Sequence, residues 1–97
     1  MKDLTKLLAL QQYFAKQPVK KAWIFGSQAD GTATPESDID ILVELDYEQS
    51  IGLHFIQMIW DLEQIMQQKV DLVPSDSVSK YIAPYIEQQK QMIYERY

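Results

Sequence analysis

Hydrophobic and polar positions along this chain follow two periods, and the switches between them mark its elements. Over residues 3 to 16, Leu4, Leu7, Leu8 and Phe14 recur at helical spacing, with Gln11 on the same stripe. Asp3 stands where an N-cap belongs, and Pro18 closes the segment. Lys21 to Phe25 alternates Ala22 and Ile24 against Trp23 and Phe25, which predicts a short strand rich in aromatic and β-branched residues. Residues 26 to 37 carry two of the three glycines with Thr32, Thr34, Pro35 and Ser37, a turn followed by a loop. Residues 38 to 45 form a second strand, with Ile39, Ile41, Val43 and Leu45 on one face and Asp38, Asp40, Leu42 and Glu44 on the other.

Residues 51 to 67 read as an amphipathic helix with Phe55, Met58, Ile59, Leu62, Ile65 and Met66 inward. Val70-Asp71-Leu72-Val73 is a third strand stopped by Pro74. The end of the chain reads as helical, with Pro84 in the first turn and Ile86, Met92 and Ile93 beneath it. No repeat or linker interrupts this order. It predicts one domain over residues 1–97, of class α/β, with a small sheet of at least three strands covered by helices.

Composition narrows the function. A hydrophobic fraction of 46% places the chain among folded proteins rather than disordered ones. The absence of cysteine excludes disulfides and thiolate metal sites. The apolar runs are too short to span a bilayer, and Met1-Lys2-Asp3-Leu4-Thr5-Lys6 lacks a signal-peptide core, so a cytoplasmic protein with no membrane contact is expected. Net charge is −5, Arg96 is the one arginine, and Lys20-Lys21 is the one adjacent basic pair. Counterion release needs clustered cations, so nucleic acid is not expected as the main partner. A basic protein surface is the better match.

The chemistry concentrates at Gly26-Ser27, Asp38-Ile39-Asp40 and Asp71. Residues i and i+2 of a strand share a face, so Asp38 and Asp40 project side by side. Adjacent carboxylates repel unless a cation lies between them, and hard cations such as Mg²⁺ favour oxygen ligands. A small-residue turn at a strand end offers backbone N–H groups to phosphate. Asp71, inside a short apolar strand, completes a trio if its strand lies beside the second one, and three carboxylates suffice for one or two divalent ions in phosphoryl displacement. Each part alone has an ordinary alternative: a turn aspartate at 38, a solvent-facing aspartate at 71, a plain turn at Gly26-Ser27. The joint pattern is the specific signal.

Other candidates fall away. His54, the single histidine, has no second histidine or cysteine to make a zinc site, so a surface or core-edge role is expected. Ser27 has no histidine base, which excludes a Ser–His–Asp hydrolase. Tyr81, Tyr85, Tyr94 and Tyr97 lie at roughly helical spacing, which favours packing against the sheet over an aromatic surface patch. Trp60, on the edge of its helix's apolar stripe, has the same two readings.

Gly26-Ser27 with Asp38-Ile39-Asp40 and Asp71 resembles the signature of the DNA polymerase β-like nucleotidyltransferase superfamily. The run Gly26-Ser27-Gln28-Ala29-Asp30-Gly31 and the tail Ile82-Ala83-Pro84-Tyr85-Ile86 resemble its minimal nucleotidyltransferase (MNT) group over almost the whole chain. The resemblance implies a small mixed β-sheet of the nucleotidyltransferase fold flanked by helices. It implies that Gly26 and Ser27 contact the phosphates of ATP and that Asp38 and Asp40 hold Mg²⁺, with two ions expected. Asp71 would complete the metal site or assist the attacking hydroxyl. It further implies an antitoxin that transfers AMP to a tyrosine of an all-helical HEPN ribonuclease toxin, in a hetero-oligomer with that toxin.

At 97 residues a separate acceptor domain is not expected, so the acceptor hydroxyl would come from the partner. Many relatives carry arginine where this chain has Gln28 or Asp30, which predicts weaker ATP binding or slower transfer. Two alternatives to catalysis on a toxin are an antitoxin acting by binding alone and a transferase for a small molecule such as an aminoglycoside. Clustered acids favour catalysis over the first, and the short chain disfavours the second.

Overall fold

The computed structural model describes residues 4–26 and 38–96. The chain runs α1 (Leu4–Phe14), β1 (Val19–Phe25), β2 (Ile39–Leu45), α2 (His54–Met66), β3 (Val70–Pro74), a 3-10 turn (Ser75–Ser77), α3 (Ala83–Gln89) and β4 (Gln91–Glu95). The strands form one mixed sheet in the order β3-β2-β1-β4. β1 pairs antiparallel with β2 and with β4, whereas β2 and β3 are parallel. Parallel neighbours need a crossover, and α2 supplies it.

One face of the sheet is the core. Ala22 and Ile24 of β1, Ile39, Ile41 and Val43 of β2, and Val70 and Leu72 of β3 are buried there against Leu10 and Phe14 of α1 and Met58, Leu62 and Met66 of α2. The period-two reading of the strands and the inward stripe of α2 are therefore borne out, with Phe55, Ile59 and Ile65 packed at its margin. The two helices are tied by Tyr13, whose hydroxyl donates to Asp61 Oδ2 at 2.7 Å. Burial and Asp61 together raise the Tyr13 phenol above its ordinary value.

The stripe of α1 has a different phase from the expected one. Leu10 is fully buried, while Leu4 and Leu8 are exposed. Four leucines in seven residues satisfy two helical phases, and the sheet takes the one that places Leu7, Leu10 and Phe14 together. Gln11 lies beside that stripe and donates through Nε2 to the Ile93 carbonyl at 3.1 Å. The N-cap expectation for Asp3 lies outside the described residues.

The end of the chain differs most from expectation. The helix stops at Gln89, Lys90 turns extended, and Gln91–Glu95 becomes a fourth strand on the free edge of β1. An unpaired edge presents a row of N–H and C=O groups, and the β-favouring run Met92-Ile93-Tyr94 satisfies them. The register shifts between Ala22 and Trp23, leaving Ile93 as a bulge residue between Met92 and Tyr94. Both Ile93 and Tyr94 consequently pack toward the core, Tyr94 with its ring 5.9 Å from that of Phe14. Tyr81 and Tyr85, by contrast, are not packed against the sheet but stand in solvent. Trp60 is 60% exposed, which removes its core reading.

Arg96 fastens this last strand. Its Nη1 donates to Asp46 Oδ2 at 2.8 Å and its backbone N–H donates to the Lys20 carbonyl at 2.8 Å. Asp46, just past β2, also accepts from Glu48 N–H and Gln49 Nε2. The bonds from Arg96 and Gln49, with the Arg96 charge, hold its carboxyl below the ordinary range. Among the described residues no helix is long and apolar enough to cross a membrane.

Candidate active site

The opposite face of the sheet carries the polar residues, and the topology decides which of them meet. Because β1 and β2 are antiparallel, the end of β1 returns beside the start of β2, and Phe25 pairs with Asp40. Because β2 and β3 are parallel and in register, Asp40 pairs with Asp71. The neighbourhood that the sequence left conditional is thus present: Asp38 immediately precedes β2, Asp40 lies in it, and Asp71 lies in the adjacent strand. Two bonds set this register, Ile39 N–H to the Lys69 carbonyl at 2.9 Å and Val70 N–H to Glu63 Oε2 of α2 at 3.1 Å.

Asp40 is half-buried, whereas Asp38 and Asp71 are exposed. Its carboxyl is raised above the ordinary range, first by burial, then by the charge of Asp71, then by that of Asp38. Both neighbours are therefore close enough to be felt. Among the described residues, however, no three His, Cys, Asp or Glu side chains converge into a closed ligand cage. The donor set fits Mg²⁺ all the same. Oxygen-only ligands suit a hard cation, a cation relieves the like-charge pressure on Asp40, and Mg²⁺ is ordinarily held by one or two carboxylates together with substrate phosphates.

Gly26 closes the site from the β1 side. Its φ is +70°, in the left-handed region, and a Cβ built there would overlap Oδ2 of Asp40. Only glycine gives both that backbone turn and that approach. Ser27, Gln28 and Asp30 lie outside the described residues. His54 is exposed on the other side of the molecule, beside Gln17 of the α1–β1 connection, which agrees with its surface reading.

Sequence reasoning missed the apolar surroundings of the acids. An open cleft of about 340 Å³ runs beside Asp71, lined by Phe25, Val73, Val78, Ile82 and Ile86 with the hydroxyl-bearing Ser77 and Ser79. The register partner of Asp40, Phe25, was legible as the strand residue before Gly26; the rest depends on how residues 75–86 fold back over the sheet. Next to the cleft, α3 covers Trp23 and Leu42, with the Lys90 ammonium 4.3 Å from the Trp23 ring centre.

A glycine turn lies against a strand carboxylate, with a second carboxylate before it and a third in register on the next strand, in an α/β fold; oxygen donors so grouped have the chemistry to hold a hard cation. Comparison with known proteins makes this specific. The nucleotidyltransferase domain profile matches residues 7–93, and the chain belongs to that family. It is 40% identical over 75 residues to MJ1379 of Methanocaldococcus jannaschii, a candidate protein adenylyltransferase, spanning 75% of each chain.

Among solved structures, a toxin–antitoxin crystal structure with AMP-PNP matches with a TM-score of 0.72 at 23% identity, over 95% of this chain and 73% of the other. The complex of a tri-AMPylated Shewanella oneidensis HEPN toxin with its MNT antitoxin matches with a TM-score of 0.64 at 20% identity, over 95% and 69%. These two likenesses establish the minimal nucleotidyltransferase fold.

Proposed function

We propose that this chain is a Mg²⁺-dependent protein adenylyltransferase and antitoxin, which moves AMP from ATP to a tyrosine of a partner HEPN ribonuclease and thereby silences it in the cytoplasm. The observation that carries the reading is the Asp40–Asp71 register with Gly26 fitted against Asp40. A relative named as an adenylyltransferase and a fold shared with an antitoxin bound to an AMPylated toxin support it.

In this reading Asp38 and Asp40 hold Mg²⁺, with Asp71 as a further ligand or as the group that takes up the hydroxyl proton. Gly26 and Ser27 carry the phosphates. Mg²⁺, when bound, supplies positive charge to the phosphate oxygens. The tyrosine oxygen forms a bond to the α-phosphorus, the bond from that phosphorus to the bridging oxygen breaks, and pyrophosphate leaves. Gly26 follows β1 and Asp71 lies in β3, so the two flank Asp40 of β2, an arrangement compatible with phosphates on one side and the acceptor hydroxyl on the other. The protein's part is position and electrostatics.

The test is to mix the chain with ATP, Mg²⁺ and the HEPN protein encoded beside it, and to map added AMP by mass spectrometry. AMP on a partner tyrosine, absent with Asp38→Asn/Asp40→Asn while the complex still forms, is expected. An unmodified but still inhibited partner would establish inhibition by binding alone.

A further inference from the structure

The cleft beside Asp71 has the chemistry of an amphipathic ligand's socket. Phe25 of β1, Val73 of β3, and Val78, Ile82 and Ile86 from the return of the chain line it, with Asp71 the one charged residue among its lining. Its volume of about 340 Å³ lies at the low end of ligand pockets, roughly 300–1,000 Å³. A phosphate would find no cation among these lining residues. A flat apolar ring with a hydroxyl at its tip finds apolar contact along its body and an acceptor oxygen at its end.

The cleft also opens onto an apolar surface. Ile82, which lines the cleft, is 54% exposed, and two exposed tyrosines are near it in the chain, Tyr81 at 76% in the turn before α3 and Tyr85 at 67% in its first turn. Exposed aromatic side chains next in sequence to a cleft-lining residue are what a protein interface buries, since they add large contact area at little entropic cost. A nucleotide alone would leave this rim in water.

We infer that the cleft lined by Phe25, Val73 and Ile82 receives the ring of the acceptor tyrosine, and that Tyr81 and Tyr85 dock the partner's surrounding surface. This rests on the proposed transfer to a partner tyrosine and names its acceptor subsite. Ile82 is a specificity-determining residue here, not a catalytic one. Being largely exposed, it is replaceable without loss of the core.

Steady-state transfer to the HEPN partner, with ATP and partner varied separately, tests the inference. Ile82→Ala is expected to raise KM for the partner about tenfold, with KM for ATP unchanged within about twofold. Tyr81→Ala/Tyr85→Ala is expected to weaken partner binding, again without changing nucleotide affinity. Circular dichroism melts of both variants should match the wild type. An equal rise in KM for ATP makes the cleft a base subsite and overturns the inference, as does no change in either KM. If the wild type transfers no AMP to the partner, the functional reading fails and the acceptor subsite fails with it; wild-type transfer with an unaffected Ile82→Ala sinks the subsite alone.

Discussion

Replacing Gly26 with alanine separates the cost of a backbone conformation from the cost of a crowded site, because the chain contains its own control. Gly26 and Gly52 both have positive φ, +70° and +41°. Alanine at either position meets the left-handed penalty of about 1–2 kcal/mol, equivalent to a fall in melting temperature of about 4–8 °C for each kcal/mol in a domain of this size. The surroundings differ. A Cβ at Gly52 has nothing within 4 Å, whereas one at Gly26 overlaps the Asp40 carboxylate and lies 3.3 Å from its Cγ.

The clashing atoms belong to a side chain, so they yield by rotating away. The fold is then spared and the Asp40 carboxylate is displaced. Misplacing a reacting group by about 1 Å costs on the order of a hundredfold in rate. Both variants should therefore melt at similarly lowered temperatures. Gly26→Ala should lose about a hundredfold in AMP transfer and weaken Mg²⁺–ATP binding in calorimetry, while Gly52→Ala stays near wild type. Equal activities in the two variants would refute the assignment of Asp40 to the reacting centre.

Three further outcomes follow from particular contacts. Gln67 caps α2 in the left-handed region at φ 56°, with its backbone N–H on the Glu63 carbonyl; Gln67→Gly keeps that bond and should stabilise by about 1 kcal/mol, read as a higher urea midpoint. The Asp46 carboxyl lies below its ordinary value of 3.8, so its contribution is complete above that pH and is lost as the pH falls through the lower folded value. Asp46→Asn should flatten the acid limb of stability against pH, and parallel limbs for the two proteins would contradict the Arg96 clasp. Glu63 accepts the first N–H of β3; Glu63→Ala should cost about 1 kcal/mol and reduce transfer, and Glu63→Gln, which keeps an acceptor oxygen, should recover both.

The contrast between α2 and the end of the chain shows what made parts of this fold legible. In α2, Phe55, Met58, Ile59, Leu62, Ile65 and Met66 share one helical phase that a core-facing crossover satisfies, and Ile56 and Trp60 lie off it in solvent. In α1, Leu4, Leu7, Leu8 and Leu10 satisfy two phases, and the position of the sheet selected between them. At the end, Ile86, Met92 and Ile93 fit a helical spacing, and no glycine, proline or asparagine marks the break after Gln89. The free edge of β1, a tertiary feature, drew the last five-residue segment into a strand. The acids were legible because an aspartate inside an apolar strand has little other reason to be there. The cleft was not, because it depends on a return of the chain over the sheet that no local pattern encodes.

The register of β3 matters more to the place of Asp71 than the strand's own sequence does. A strand displaced by one residue turns every side chain to the other face. Such a slip would carry Asp71 under the sheet, into the layer of Leu10, Phe14 and Leu62, and bring Val70 and Leu72 into water. Burial of Val70 and Leu72 therefore opposes the slip with the same apolar contacts that hold α2 in place, and the Glu63 and Lys69 bonds fix the starting point. Among the described residues no hydrogen bond or ion pair holds the exposed Asp71 side chain. Within the described residues the third carboxylate is positioned by its neighbours in the chain, and so its place beside Asp40 depends on the crossover helix on the opposite face of the sheet.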